Sequence, residues 1–206
     1  SNEKAVKILL EALPNFQNEV TFSYSLASIF YNSGNYLKAE IYFHNVLRIR
    51  PDMLSAKYTL AMIYEEMNDT NRSDSLFLQM IEQDANDPVR RNDYAYILSE
   101  RDNITTEELR LALQLATNAV SIDPDNSAFL DTIGWIHYKM GTYHKAKEYL
   151  EKSLSINDNN PVILEHLGDI YVKLNKSSEA VNIYEKVLSI DSDNQLIKDK
   201  IQKVYE

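Results

Sequence analysis

The side chains that could do chemistry are few, because the chain of 206 residues contains four histidines and no cysteine. Glu165, His166 and Asp169 form one cluster whose residue types suit a metal ion, since positions three apart share a helix face. A metal needs three or more ligands in close geometry, so we expect these groups to be ordinary polar side chains of a helix surface. The chain has no nucleophile elbow, phosphate-binding glycine loop or His-Glu-x-x-His motif. We therefore predict no catalytic residue, no metal, no cofactor and no enzymatic activity.

The composition restricts the partners. The chain has 21 basic and 31 acidic residues and a formal net charge of -10. A nucleic-acid-binding protein needs a basic surface that neutralises phosphates, and none is visible here. No apolar run approaches the ~20 residues that span a bilayer. We therefore expect neither nucleic-acid binding nor membrane insertion, and the absence of cysteine suits a reducing and an oxidising compartment alike.

Two series of small residues indicate the elements that position these side chains. The first series recurs at steps of 34, 34, 39 and 34 residues. The second series also has steps of 34 residues and the same single step of 39. The members are Ala27, Ala61, Ala95, Gly134 and Gly168, then Ala5, Ala39, Ser73, Ala112, Ala146 and Ala180. Such self-similarity predicts an array of helix pairs, each of which buries its apolar face against the next. Substituting a bulky residue at Gly134 or Ala146 should overpack the contact between paired helices.

The array predicts one continuous domain over 1–206, divided at the turn residues between units. Within it, 1–19 holds the second helix of a truncated repeat, and 195–206 is a capping helix with Leu196 inward and Lys200 outward. The repeats are 20–53, 54–87, 88–126, 127–160 and 161–194. The third is five residues longer, and we expect 100–105 to supply the longer connection and Thr105 with Glu108 to form a capping box. Because the array begins within a repeat, we expect a fragment of a longer protein.

Two successive repeats share a pattern of large and small residues: Leu130, Ile133, Gly134, Ala146 and Leu150, then Leu164, Leu167, Gly168, Tyr171, Ala180 and Tyr184. This pattern resembles the tetratricopeptide repeat, and more narrowly the bacterial proteins of that family. The repeat 88–126 departs from the pattern at Ala116, where the family prefers an aromatic residue. The resemblance implies an all-α solenoid, a right-handed superhelix of antiparallel helix pairs that ends in a C-terminal capping helix.

The resemblance also implies a concave groove lined by the first helix of each repeat. Its side chains would be mostly aromatic or acidic, which favours a protein or peptide partner that is basic, aromatic or apolar. The alternative is that the aromatic residues belong to the core. The positions that the family uses to clamp a C-terminal carboxylate hold no basic residue here, so we exclude that clamp. The predicted groove residues are Tyr24, Ser28, Tyr31, Tyr58, Met62, Glu65, Asn92, Asp93, Tyr96, Asp131, Thr132, Trp135, Tyr138, Glu165, His166 and Asp169.

The remaining histidines are assigned to the scaffold. His137 occupies a packing position of its helix, and His44 and His144 fall on second helices, toward the convex side. We therefore predict a non-enzymatic scaffold that binds a peptide or helix of a partner protein in the groove. Two alternatives stay open. One is a regulatory or assembly segment of a larger enzyme or of a secretion or transport apparatus, and the other is self-association into a homo-oligomer.

Overall fold

The computed structural model describes residues 2–206, which form twelve α-helices and one 3₁₀ turn, with no strand in that range. The all-α class predicted from the sequence is confirmed. The α-helices are α1 Asn2–Ala12, α2 Val20–Asn32, α3 Tyr36–Ile49, α4 Leu54–Glu66, α5 Thr70–Gln83, α6 Pro88–Glu100, α7 Thr106–Ile122, α8 Ser127–Lys139, α9 Tyr143–Ile156, α10 Pro161–Lys173, α11 Ser177–Ile190 and α12 Gln195–Tyr205, and the 3₁₀ turn Leu13–Asn15 follows α1.

The helices fall into two compact units, Ser1–Ala85 and Asn86–Glu206. In unit 1, α2 pairs with α3 and α4 with α5, while α1 packs against α2. In unit 2, α6 pairs with α7, α8 with α9 and α10 with α11, while α12 packs against α11. The first helices of unit 2 also touch one another, α6 against α8 and α8 against α10. That second set of contacts brings the first helices that carry the predicted groove residues together.

The turn inside most pairs needs one residue with a left-handed backbone. Gly34 and Gly141 have φ of 71° and 73° there, and Asn68 and Asn175 adopt φ of 57° at the corresponding places. Glycine has no Cβ to clash at positive φ, and asparagine tolerates this region better than most residues. These four residues end the first helices and let the chain reverse.

The small-residue series lies at the contact between paired helices, as predicted. All alanines of the two series except Ala5 are fully buried. A Cβ added to Gly134 would overlap the Leu150 side chain, and one added to Gly168 would overlap the Tyr184 ring. The large residue therefore fills the space that the missing side chain leaves, which holds the two helices close.

The longer third repeat differs from the expectation in one respect. The connection between α6 and α7 is 101–105, and α7 has 17 residues where α3, α5, α9 and α11 have 14. Three of the five extra residues therefore extend the second helix, and only two lengthen the connection. The capping box is confirmed: the Thr105 hydroxyl accepts from the Glu108 amide, and the Glu108 carboxylate accepts from the Thr105 amide.

The prediction for α12 is wrong at two positions. Leu196 is 58% exposed, although it was expected to face inward. Lys200 was expected to face outward, yet its side chain is largely buried and its ammonium binds carboxylates of α10. The inward stripe is Ile197, Ile201 and Val204, which pack against a core cluster that includes Leu164 and Tyr184. Lys200 lies beside this stripe, because it precedes Ile201 and follows Ile197 by three positions.

Candidate partner-binding site

The indole of Trp135 is the centre of an aromatic group on the first helices of unit 2. Its ring stacks on Tyr138 of the same helix, with centroids 4.7 Å apart and planes 7° apart. It also stacks on His166 of α10, at 4.2 Å and 17°. The spacing of three along α8 explains the first contact, whereas the second depends on α8 packing against α10. Two predicted groove residues therefore contact the indole of a third.

A buried hydrogen bond joins the same two helices. Nδ1 of His166 donates to Oδ1 of Asp131 at 2.8 Å, and both side chains are nearly excluded from solvent. A buried carboxylate requires such a donor, because leaving it unpaired in a medium of low dielectric constant is costly. Asp131 and His166 therefore fix the relative position of α8 and α10, and their buried atoms offer a partner little surface.

The acidic end of the site already holds a cation. The ammonium of Lys200 lies 2.7 Å from a Glu165 carboxylate oxygen and 2.7 and 2.8 Å from the two Asp169 oxygens. Burial disfavours the charged amine, but the bonds to Asp169 and Glu165 outweigh it and raise the pKa of Lys200. The Tyr184 hydroxyl donates to Asp169 at 2.6 Å, and burial together with this carboxylate raises the pKa of Tyr184.

Glu100 is a further acid of this surface, at the end of α6. Its carboxylate accepts from the Trp135 indole N–H at 2.5 Å and lies 3.4 Å from the Lys139 ammonium. The same ammonium lies over the Trp135 ring, 5.3 Å from its centroid. Such a contact adds an electrostatic attraction to the ion pair. The indole is thus held by three elements of the unit.

Tyr96 is the most exposed aromatic of the predicted groove in unit 2, at 37%. Partial burial and the negative charges of Glu100, Asp131 and Glu165 raise the pKa of Tyr96. These carboxylates come from α6, α8 and α10, so the phenol lies in a field that three repeats create. Burial and the charge of Asp169 likewise raise the pKa of Tyr138. Burial is the larger cause at both phenols, and the carboxylates add to it.

The start of the site on α6 differs from the later repeats. Asn92 is buried, and its Oδ1 atom has no hydrogen-bond partner within the described part of the chain. Thr132 of α8 is buried too, and its hydroxyl donates to the Ala128 carbonyl of its own helix at 3.0 Å. Asp93 pairs with Arg90 at 2.7 Å, although burial raises the pKa of Asp93. One buried acceptor therefore remains without a donor.

The predicted groove aromatics of unit 1 contact second helices. Tyr24 meets Phe43 edge-on at 5.8 Å, Tyr58 meets Phe77 edge-on at 6.0 Å, and Tyr31 lies 6.1 Å from Tyr36. These contacts fit the core alternative as well as the groove. Partly buried positions of α2 and α4 complete the predicted set in unit 1: Ser28, Met62 and Glu65.

Two lysines of this surface were missed by sequence reasoning. Lys139 meets Glu100, which lies 39 positions earlier in the chain. Lys200 meets Glu165 and Asp169, which lie 35 and 31 positions earlier. A helical period within one element does not report such contacts. Aligning the repeats would have shown the signal, because Lys200 follows His166 by one repeat length of 34 and therefore occupies its equivalent position.

The other histidines lie in the scaffold. His137 is buried, and its Nδ1 atom lies 2.9 Å from the Thr142 hydroxyl, as expected for a packing position. Nε2 of His44 lies 3.0 Å from the Tyr64 hydroxyl. Among residues 2–206, no group of three His, Asp or Glu side chains is arranged to hold a metal ion. Over the same range, no helix has both the length and the hydropathy that crossing a membrane requires.

A shallow pocket lies in unit 1. Arg48 lines it, and its guanidinium donates to the Gln17 carbonyl at 3.2 Å and to the Asn45 side chain at 3.0 Å. Two of its N–H groups are thus used within the chain. The lining residues are Leu10, Leu13, Pro14, Gln17, Asn45 and Arg48.

Comparison with known proteins gives evidence on the family and the fold of the chain. A tetratricopeptide repeat model matches residues 20–53 and 54–87, and a model of the anaphase-promoting complex, cyclosome, subunit 3, matches 106–187. A TPR repeat-containing protein of Pseudomonas aeruginosa is 30% identical over 108 residues, which are 52% of this chain and 18% of that protein. This chain therefore spans about a fifth of that relative's length.

Two solved structures illustrate the likeness in fold. A tetratricopeptide repeat protein from Parabacteroides merdae matches with a TM-score of 0.78 and 16% identity, over 100% of this chain and 78% of that one. YrrB, described as a TPR protein with an unusual peptide-binding site, matches with a TM-score of 0.58 and 13% identity, over 94% and 97%. At these identities the likeness concerns the fold.

Proposed function

Since this chain is a tetratricopeptide repeat protein of the bacterial type, we propose that it is a non-enzymatic scaffold that binds a peptide or helical segment of a partner protein. The binding surface is the face of unit 2 formed by α6, α8 and α10. Repeat arrays commonly act in this way, because they present an extended surface.

The observation that carries the proposal is the aromatic group on that face. Trp135 contacts Tyr138 and His166 without lying on the small-residue contact between paired helices. Tyr96, on the neighbouring first helix α6, stays 37% exposed. Aromatic side chains held rigidly by their neighbours lose little conformational entropy on binding, which is why they dominate many interfaces. Their rigidity favours a role beyond packing.

A peptide-display selection against the full chain tests the proposal. Enriched peptides should bind with a change in the fluorescence of Trp135, the single tryptophan. Trp135→Ala and Tyr96→Ala should each weaken binding at least tenfold, which is the size expected for central interface residues. Leu111→Ala is the matched control, because Leu111 lies on second helix α7 and is also 37% exposed.

Two results would contradict the proposal. One is a selection that enriches no binding peptide. The other is a set of peptides whose affinity falls with Leu111→Ala and stays unchanged with Trp135→Ala and Tyr96→Ala, because those peptides would bind the second helices.

A second candidate is a regulatory or assembly segment of a larger protein. It is favoured by the comparison in which this chain corresponds to 18% of the P. aeruginosa relative. The length of the open reading frame that contains this sequence tests it. A frame that ends near Glu206, with only a short N-terminal extension, would count against it.

Self-association also stays a prediction. It is supported by Ile8 of α1, an apolar residue that faces solvent and is available to a second copy of the chain. Ile8 is 64% exposed, and no residue of α1 is buried. Light scattering over a range of concentrations tests it, and a constant monomer mass would contradict it.

A further inference from the structure

The first helices of unit 2 carry a repeated polar pair. In each pair an acceptor on one helix meets a donor that lies 35 positions later, on the next first helix. Asp131 meets His166 at 2.8 Å, and Glu165 meets Lys200 at 2.7 Å. Asp131 and Glu165 are one repeat apart, and so are His166 and Lys200. We call each acceptor–donor pair of this register a rung.

The same register defines an earlier rung between α6 and α8. Ala95 and Gly134 are equivalent positions, so Asn92 corresponds to Asp131 and Thr132 corresponds to His166. Asn92 supplies the acceptor, but the Thr132 hydroxyl donates to the Ala128 carbonyl. Oδ1 of Asn92 is therefore buried with no partner in the described chain. A buried acceptor without a donor costs about 1–3 kcal/mol, so this rung is open where the next two are closed.

The surroundings of the open rung favour a positively charged donor. The carboxylates of this face are those of Asp93, Glu100, Asp131, Glu165 and Asp169. Three cations, Arg90, Lys139 and Lys200, bind four of them, and His166 binds Asp131. Tyr96, one turn after Asn92 on α6, has a pKa that burial and three of these carboxylates raise. The two cations of α6 are already engaged: Arg90 is paired with Asp87 and Asp93, and Arg91 donates to the Asp87 carbonyl.

We propose that the open rung between α6 and α8 receives a basic side chain, lysine or arginine, from the partner, whose N–H group donates to Oδ1 of Asn92 while its apolar stem packs against Tyr96. The closed rungs show the same chemistry within the chain, where Lys200 meets Glu165. The Asn92 oxygen is covered, so the incoming group must move the side chains above it. This inference rests on the proposed function and specifies the partner's chemistry at one subsite.

The direct test uses nuclear magnetic resonance with small probes. N-acetyl-arginine methylamide and N-acetyl-lysine methylamide are titrated to millimolar concentration, and N-acetyl-norleucine methylamide is the uncharged control. Both basic probes should shift the Asn92 side-chain amide and the Tyr96 ring signals in a saturable way. Equal shifts with the norleucine probe, or an unmoved Asn92 amide, would overturn the proposal. The second result would mean that only water fills the rung.

Variants provide the second arm. Thr132→Lys places an amine where the later rungs have His166 and Lys200, so it should close the rung within the chain and weaken both basic probes at least tenfold. Thr117→Lys is the matched control, because Thr117 also donates to a carbonyl four residues earlier but lies exposed on α7. Asn92→Leu removes the acceptor itself and should also weaken the binding of both basic probes at least tenfold. Unchanged probe affinity in both test variants would overturn the inference.

The peptide selection separates this inference from the proposed function. Peptides that bind the α6–α8–α10 face without any lysine or arginine would leave the scaffold function standing and contradict the basic subsite. A selection with no binders, together with saturable shifts by the basic probes, would contradict the scaffold function alone.

Discussion

Nδ1 of His166 donates to Oδ1 of Asp131 across two repeats, and the imidazole is stacked on Trp135. The pair joins α8 to α10, which are first helices of successive repeats. Two residues predicted to face a partner are thus mainly a link within the scaffold, and the surface left for a partner is the aromatic group beside them.

We predict that Asp131 and His166 are energetically coupled. Asp131→Ala should lower the free energy of unfolding by about 2 kcal/mol, because the buried imidazole N–H loses its acceptor. In a double-mutant cycle with His166→Ala, urea denaturation should give a coupling energy of about 1–2 kcal/mol. Additive effects of the two substitutions would show that the pair contributes nothing beyond its parts.

The contact of Lys200 with Glu165 and Asp169 should stabilise α12. Lys200→Met keeps the apolar stem and removes the ammonium, so two carboxylates are left close together without a cation. We expect a loss of about 1 kcal/mol that shrinks with added salt, as screening weakens both the ion pair and the repulsion. Lys203→Met, on the exposed face of the same helix, is the control and should change stability by a few tenths of a kcal/mol. Equal losses in the two variants would contradict the assignment.

Gly168→Ala should destabilise the protein although alanine is the better helix former. The added Cβ would overlap the Tyr184 ring, and the overpacking should cost about 1–3 kcal/mol. Thermal or urea unfolding measures the loss. In a Tyr184→Leu background the loss should shrink, because a smaller side chain leaves room for the methyl group. The same loss in both backgrounds would place the strain elsewhere.

Two buried serines should respond in opposite directions to alanine. The Ser73 hydroxyl has no partner in the part of the chain that the structure describes, and five other members of its series are alanine. Ser73→Ala should therefore raise the free energy of unfolding by about 1 kcal/mol. Ser153→Ala should lower it by about 1 kcal/mol, because the Ser153 hydroxyl donates to the Ser127 carbonyl at 2.7 Å. A change of the same sign in both variants would refute this distinction.

The pH dependence of stability should reveal the buried phenol of Tyr64. Burial, and next the charge of Glu40, raises the pKa of Tyr64 from 10.0 to about 12. A group that holds its proton more tightly in the folded state stabilises the protein fully below its unfolded pKa. That contribution is lost as the pH rises from about 10 through 12. Tyr64→Phe should therefore show a shallower decline of unfolding free energy over this range than the wild type.

Tyr205→Phe is the control for the alkaline range, because Tyr205 is exposed at the end of α12. Its profile should follow that of the wild type. A Tyr64→Phe profile identical to the wild type would mean that the Tyr64 phenol has the same proton affinity in the folded and unfolded chains.

The local elements could be predicted from the sequence because their signals lie within one repeat. The capping box of Thr105 and Glu108 and the buried alanine series each depend on residues within one helix or one helix pair. The extension of α7 was missed, because a repeat gains the same length whether its extra residues lie in a connection or in a helix.

The partners of the polar side chains could not be predicted from a helical period. Periodicity indicates which face of a helix a residue occupies, and it placed Lys200 on the outer face of α12. The actual orientation depends on how α12 packs against α11 and on the reach of a lysine side chain to Glu165 and Asp169. Small rotations of one helix decide between solvent and a neighbour at such a boundary position.

The sequence by itself determined the helical repeat and the small residues at each helix pair, since burial of each apolar stripe requires only the neighbouring helix. Only the tertiary structure decided which acids of the predicted groove are already paired and which acceptor is left open. Asp131 and Glu165 find donors 35 positions later, and Asn92 finds none among the described residues. The physical reason is that these pairs form between repeats, where distance and burial, rather than position along one helix, determine whether a polar group finds its partner.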